Sequence, residues 1–259
     1  MTLPSVAVLP LLVVVAAGVY YIYNEVMRYM SKSLVKNKVV VITDAVSGVG
    51  TECAHLFHKG GARLILCGAS WDKLESLYDS LTNDADPRET FAPKLVILDF
   101  SDMDSVEEMV SEVVECYGCV DVLICNSSVK LKAPVQSVSL ELDRNIMDIN
   151  YFGPSSLAKG VLPTMICRRS GHIVLVTSIH GRLAVPFRSS FIASQLTHGV
   201  RPSILANEIM QTVNRKKKEV VLAHPVPRVA LLLRSLLPSF LFAVLAAGVK
   251  DSELNEQMQ

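Results

Sequence analysis

The stretch Thr43–Gly50, TDAVSGVG, has the composition of a phosphate cradle. Gly48 and Gly50 carry no Cβ, so backbone there can approach a pyrophosphate, which then sits on the N-terminus of the helix that follows. Two glycines alone are a weak signal. Here an apolar run, Lys38–Thr43, precedes them, and helix-spaced apolar residues, Thr51–Lys59, follow, which is the context such a turn requires. Other reactive patterns are thinner. Cys116 and Cys119 form a lone C-x-x-C without the second ligand pair a zinc site needs. The six cysteines are too scattered for a disulfide framework, and His and Met are too dispersed to indicate a metal centre. Asn126-Ser127-Ser128 fits a glycosylation sequon but ends a core run, where glycosylation is not expected.

The elements that hold this turn read as alternating strands and helices. Lys38–Thr43, Arg63–Gly68, Lys94–Phe100, Asp121–Asn126 and His172–Ser178 are short, β-branched or leucine-rich, and bounded by polar or turn residues. Runs apolar on both faces suit a parallel sheet covered on both sides. Between them Thr51–Lys59, Trp71–Leu81, Met103–Tyr117 and Leu140–Met165 carry helical periodicity. The pattern predicts a Rossmann-like, doubly wound α/β fold.

The chain has 259 residues, enough for one such domain, and a formal net charge of zero, which excludes the basic field of a nucleic-acid binder. Half the residues are hydrophobic (50%) and only 19% are charged; the apolar excess sits at the two ends. Leu3–Tyr23 has no charged side chain and is long enough to span a bilayer. Tyr20, Tyr21 and Tyr23 lie at its far edge, and Arg28, Lys32, Lys36 and Lys38 follow, which places the rest of the chain in the cytosol. Two readings stand: a retained anchor, favoured by the long run and the absence of Lys or Arg before it, or a cleaved signal peptide with Ala16–Gly18 as its small-residue site. At the other end Val229–Val249 is apolar apart from Arg234, and is broken by Pro238; the basic Asn214–Glu219 lies upstream. It reads as a helix lying in the interface, as a second crossing with Arg234 snorkelling, or as a segment packed on the domain. The expected organisation is an anchor or signal-like segment at 1–30, a nucleotide-binding domain at 36–225 that is truncated after 195, and an apolar tail at 226–259.

With the motifs in order, the chain resembles the short-chain dehydrogenase/reductase family from about Ser31 to Gln195 and again from about Thr197 to Lys250. Thr43, Gly48 and Gly50 fall on the family's T-G-x-x-x-G-x-G. Asp99 matches the acid that holds the adenine amino group, and Asn126 the second Asn of N-N-A-G. Asn150, in MDINYFGP, matches the active-site helix asparagine. Ser178 matches the serine that polarises the substrate carbonyl. The resemblance implies hydride transfer between NAD or NADP and a carbonyl or alcohol, with Thr43, Ser47, Gly48, Gly50, Asp99 and Asn126 at the cofactor and Ser178 and Asn150 at the catalytic centre. The membrane-anchored branch it resembles implies lipophilic substrates of retinoid or steroid type. It also implies the endoplasmic or sarcoplasmic reticulum membrane, with the domain facing the cytosol; the signal-peptide reading implies the secretory pathway instead.

The chain departs from this pattern where the chemistry is done. Phe191 and Gln195 occupy the places of the family's tyrosine and lysine. Phe191 has no hydroxyl to exchange a proton, and Gln195 no charge to stabilise a phenolate. Asp44 replaces the first glycine and would turn a charge toward the pyrophosphate. Gly68, Ala69 and Ser70 offer neither the acid that favours NAD nor the base that favours NADP. Roughly fifty residues of the usual family layout (a helix, a sixth strand and a loop over the nicotinamide) are absent after Gln195, and that helix normally contributes to the dimer interface. Three functions follow: a membrane-tethered oxidoreductase on lipophilic alcohols or ketones, a non-catalytic nucleotide-binding or interaction protein, and a shortened variant that folds poorly. Val220–Leu222 is expected to fill the sheet edge beside His172–Thr177.

Overall fold

The protein is described by a computed structural model covering residues 35–83, 86, 88–127, 129, 138–177 and 201–222, with parts of the two ends at 14–15, 17–22, 26, 229–230, 233, 235–237 and 239. Five parallel strands form its centre: β1 (Val39–Ile42), β2 (Arg63–Gly68), β3 (Lys94–Ile97), β4 (Val122–Cys125) and β5 (His172–Leu175), in the order β3-β2-β1-β4-β5. All four residues of β1 and of β4 are buried, as apolar runs covered on both faces require. The registers Val40↔Leu64 and Val40↔Val122 fix β1 between β2 and β4. The strand order reverses between β1 and β4. Doubly wound sheets bind ligands in the crevice at such a point, beyond the carboxyl ends of the strands.

Two helical layers close the core. On one face α1 (Gly48–Lys59), α2 (Trp71–Asn83) and α6 (Pro202–Arg215) cover Val40, Ile42, Leu64 and Leu66, contributing Phe57, Leu74 and Ile209. On the other, α3 (Val106–Glu115) and α5 (Gly153–Cys167) cover Val41, Ile65 and Leu123 with Val113, Leu157 and Val161. A Cβ on Gly160 would lie 2.1 Å from Val110 Cγ1, so the approach of α3 to α5 depends on that glycine. The helical pattern over Leu140–Met165 forms as one run with a change of hydrogen bonding inside it. Ser139 caps α4 (Leu140–Met147), a π-helical turn follows at Asp148–Phe152, and α5 continues from Gly153. Likewise Met103–Ser105 is a 3-10 turn ahead of α3.

β5 is an edge strand of the sheet among the described residues, and its Ile173 (37% exposed) and Leu175 (61%) are exposed although their β4 neighbours Leu123 and Cys125 are buried. The expectation that Val220–Leu222 completes this edge is corrected. Residues 219–222 leave α6 without entering the sheet. The chain is held back over its own helix instead: Lys217 N–H donates to the Thr212 carbonyl at 3.3 Å, and its ammonium pairs with Glu208 at 2.9 Å. Residues 219–222 accordingly form no strand. Among the described residues no helix is long and apolar enough to cross a membrane. Those described within the N-terminal apolar segment, 14–15 and 17–22, are helical and exposed.

Candidate nucleotide site

The turn after β1 is braced from three sides. The Thr43 hydroxyl accepts from the backbone N–H of Asn126 at 2.9 Å and of Ser127 at 3.1 Å, which ties the ends of β1 and β4 together at the reversal of strand order. Asn126 Nδ2 donates to Ser47 Oγ at 2.7 Å and reaches the Asp44 carbonyl at 3.4 Å. Ser47 is the N-cap of α1, its Oγ accepting from Gly50 N–H at 3.2 Å. Capping by Ser satisfies a backbone donor that the first helical turn leaves open. Thr51 Oγ1 donates to the Ala45 carbonyl at 3.1 Å and completes the clasp.

The glycines have distinct reasons. A Cβ on Gly50 would lie 2.3 Å from the Asp44 carbonyl oxygen, so no larger residue fits beneath the turn. Gly48 is exposed, and its nearest neighbour is the ring of Pro202, 3.4 Å from where a Cβ would stand. The first turn of α6 thus borders the cradle. Pro202 suits the first turn of a helix, but nothing in the local sequence tells that this helix end meets Gly48.

Asp44 holds the left-handed conformation, φ 47°, that glycine would take without strain. Burial pushes its carboxyl above the ordinary range; a hydrogen bond from Ser47 and the charge of Lys73 act in the opposite direction without overcoming it. A carboxylate bonded to the N-cap residue of α1 stands in the region where a nucleotide phosphate would meet the helix end. Lys73, on α2, is the counter-charge that sequence reasoning missed, because only the fold brings α2 beside the turn. Cys125, just below Asn126, is pushed up to about 12 by burial, which keeps its thiol protonated.

Of the other expected site residues, Asp99 lies two residues beyond β3 and forms its own turn. Its Oδ1 accepts from Ser101 N–H at 2.9 Å and from Ser101 Oγ at 2.8 Å. Asn150 lies in the π-helical turn and clamps the backbone beyond β4, accepting from Val129 N–H at 2.9 Å and donating to the Val129 carbonyl at 3.1 Å. π-turns of this kind concentrate at functional sites. The structure therefore gathers Thr43, Ser47, Gly48, Gly50 and Asn126 into one cluster and gives Asn150 a positioning role on the β4 loop. Ser178, Phe191 and Gln195 lie outside the described residues. Cys116 and Cys119 follow α3, and burial pushes the Cys116 thiol up, a poor setting for redox work.

Comparison with known proteins gives the same frame. Residues 38–215 match the profile of the short chain dehydrogenase family. The chain is similar to dehydrogenase/reductase SDR family member 7C-A of Danio rerio, 54% identical over 324 residues, covering 100% of both chains. It is also similar to dehydrogenase/reductase SDR family member 7C of Homo sapiens, 46% identical over 300 residues, covering 95% of this chain and 96% of that protein. The Danio alignment spans 324 positions and this chain has 259 residues, so 65 positions have no residue here. Among solved structures, a metagenomic short-chain oxidoreductase in complex with NADP shares the fold, with a TM-score of 0.62 at 18% identity over 72% of this chain and 95% of that one. An alcohol dehydrogenase from Thermococcus sibiricus, complexed with 5-hydroxy-NADP, does so with a TM-score of 0.55 at 24% identity over 70% of each chain.

Proposed function

Because the chain belongs to the short-chain dehydrogenase/reductase family, whose members transfer hydride between NAD(P) and a carbonyl or alcohol, we propose that it keeps the family's nucleotide site and has lost efficient turnover. One contrast carries this reading. The cradle of Thr43, Ser47, Gly50 and Asn126 is braced by hydrogen bonds among its own members, while the positions of the proton-transfer pair hold Phe191 and Gln195. A positioned acid/base contributes about 10²–10⁴-fold to rate, and neither side chain can replace it. Residual chemistry would fall to Ser178 and a lipophilic alcohol or ketone of the retinoid or steroid kind. In this reading the N-terminal apolar segment tethers the domain to the reticulum membrane, with the domain in the cytosol.

Trp71 is the sole tryptophan and opens α2, next to the end of β2 where the adenosine ribose would lie. Titration of the full chain with NADH and NADPH, followed by Trp71 fluorescence and by calorimetry, is expected to give saturable binding. Incubation with a panel of retinols and hydroxysteroids is expected to give no hydride transfer above background. A silent titration removes the nucleotide site from the reading; family-like turnover removes the loss of catalysis.

A second reading, a shortened variant of low stability, is supported by the 65 unfilled alignment positions and the exposed Ile173 and Leu175. A cooperative thermal transition of the purified chain would reject it.

A further inference from the structure

A second candidate site lies at the far end of the sheet. A cavity of about 730 Å³ opens at the N-terminal ends of β4 and β5, opposite the end that carries Thr43 and Asn126. Small-molecule sites occupy about 300–1,000 Å³. One wall is apolar, formed by Leu162, Met165 and Ile166 of α5 with Ile173 of β5. Leu162 and Ile166 are 41% and 64% exposed, large values for apolar side chains in a cavity wall.

The other wall is basic: Lys38, Arg169 and Lys216, with His172 beside them. Asp121 is the one carboxylate among the described lining residues, and it is already engaged. Its Oδ2 accepts from Val39 N–H at 2.9 Å, and its Oδ1 pairs with Arg168 at 2.7 Å. The cavity thus presents an excess of positive charge next to bare hydrocarbon. The field is felt inside it: burial, then Lys216 and Lys38, hold the His172 imidazole below its ordinary range.

Arg169 and Lys216 stand just past the C-terminal ends of α5 and α6, with φ 49° and 52°. Cations there interact favourably with the helix ends, but glycine or asparagine takes the left-handed position at less strain. Two helices converge on one cavity, and each places a cation where a strain-free residue would serve the helix as well.

The chain's course says which surface this is. Val35 lines the cavity twelve residues after Tyr23, the end of the first apolar segment, and Lys216 lines it thirteen residues before Val229, the start of the second. Twelve residues reach at most about 40 Å. The chain that joins each apolar segment to the domain therefore has a cavity-lining residue at its domain end, and either segment can bring a bilayer surface within reach of the cavity.

We propose that the cavity binds one anionic phospholipid, its phosphate held by Arg169, Lys216 and Lys38 and one acyl chain lying along Leu162, Ile166 and Ile173. The proposal rests on the membrane-tether reading for its source of ligand, and its test separates the two. The full chain, purified in a neutral detergent, is offered dioctanoyl phosphatidylglycerol or dioctanoyl phosphatidylcholine, and retained lipid is counted by native mass spectrometry. The expected result is at least tenfold preference for the glycerol lipid. The double variant Arg169→Asn/Lys216→Asn, which keeps residues suited to positive φ, is expected to lose that preference with an unchanged thermal midpoint, and Ile166→Asp to lose both lipids. Equal retention of the two lipids, an undiminished preference in the double variant, or displacement of the lipid by equimolar inorganic phosphate overturns the proposal. Flotation on neutral phosphatidylcholine vesicles reads the tether independently: it is expected for the wild type and the double variant alike. Its failure would reject the tether while the detergent measurement still decides the site.

Discussion

Asp44→Asn is expected to tighten nucleotide binding rather than weaken it. The residue sits at φ 47°, which asparagine also tolerates, so the turn is preserved. What the substitution removes is a negative charge hydrogen-bonded to Ser47 at the start of α1. A phosphate charge about 5 Å from that carboxylate would be repelled by about 3 kcal/mol at an effective dielectric constant of about 20, and by about 0.8 kcal/mol in bulk water. Asp44 is partly exposed and Lys73 offsets some of its charge, so the lower part of that range applies. About 1.4 kcal/mol corresponds to about tenfold in affinity. The effect depends on pH with a definite sign. Burial raises the carboxyl above its ordinary value of 3.8, so it begins to neutralise at a higher pH than a free aspartate. Wild-type affinity should therefore climb toward that of the variant as pH is lowered from 7.5, and the gap should be widest at neutral pH. Paired titrations of both proteins with NADPH, read through Trp71 across this range, measure the gap directly and cancel protonation of the nucleotide. Equal affinities at neutral pH, or a weaker Asp44→Asn, would refute the electrostatic reasoning.

Asn126→Ala removes the buried donor to Ser47 and leaves part-buried acceptors without it; a loss of about 1–2 kcal/mol in urea unfolding, with weaker nucleotide binding, is expected. Gly50→Ala drives a Cβ to 2.3 Å from the Asp44 carbonyl oxygen, so circular dichroism melts should show a lowered midpoint and calorimetry no nucleotide heat. For Asp121, burial alone would raise the carboxyl, but the Val39 N–H and Arg168 outweigh it and hold it below 3.8. Its contribution is present above the unfolded value and is lost as pH falls through the lowered folded value. Asp121→Asn should therefore cost about 1 kcal/mol at pH 7 and progressively less as the pH falls below 3.8, as read by denaturant melts. Leu175→Glu, at an exposed position of the outermost strand, should reduce self-association in light scattering while leaving the thermal midpoint unchanged.

The sheet was legible because its strands are short apolar runs between polar boundaries, and Val39–Ile42 and Val122–Cys125 form where the pattern put them. The cradle was legible because Gly48 and Gly50 stand between a strand and a helix. Its bracing was not: Thr43 and Asn126 lie 83 positions apart and meet only because β1 and β4 are neighbours. The π-turn at Asp148–Phe152 was invisible to periodicity, since one inserted residue leaves the apolar pattern on both sides intact. Val220–Leu222 looked like a strand because its residues are β-branched and leucine, yet it forms none, following a turn in which Lys217 is tied back to Thr212 and Glu208. The distal cavity has no local signal at all, being assembled from the ends of two helices and two strands.

The order of the strands along the chain has a consequence for synthesis. Every strand among the described residues is encoded before residue 176, and α3 and α5, which seal one face, are also complete by then. The other face awaits α6, whose Ala206, Ile209, Met210 and Val213 pack against Phe57 and its neighbours. α1 and α2 already lie on that face, but at about 5–20 residues per second translation leaves the part that α6 covers open for seconds after the first face is closed. The nascent domain therefore passes through a one-sided stage. A chaperone that acts during synthesis should be found on the surface of α1, and its release should coincide with the emergence of Pro202–Arg215.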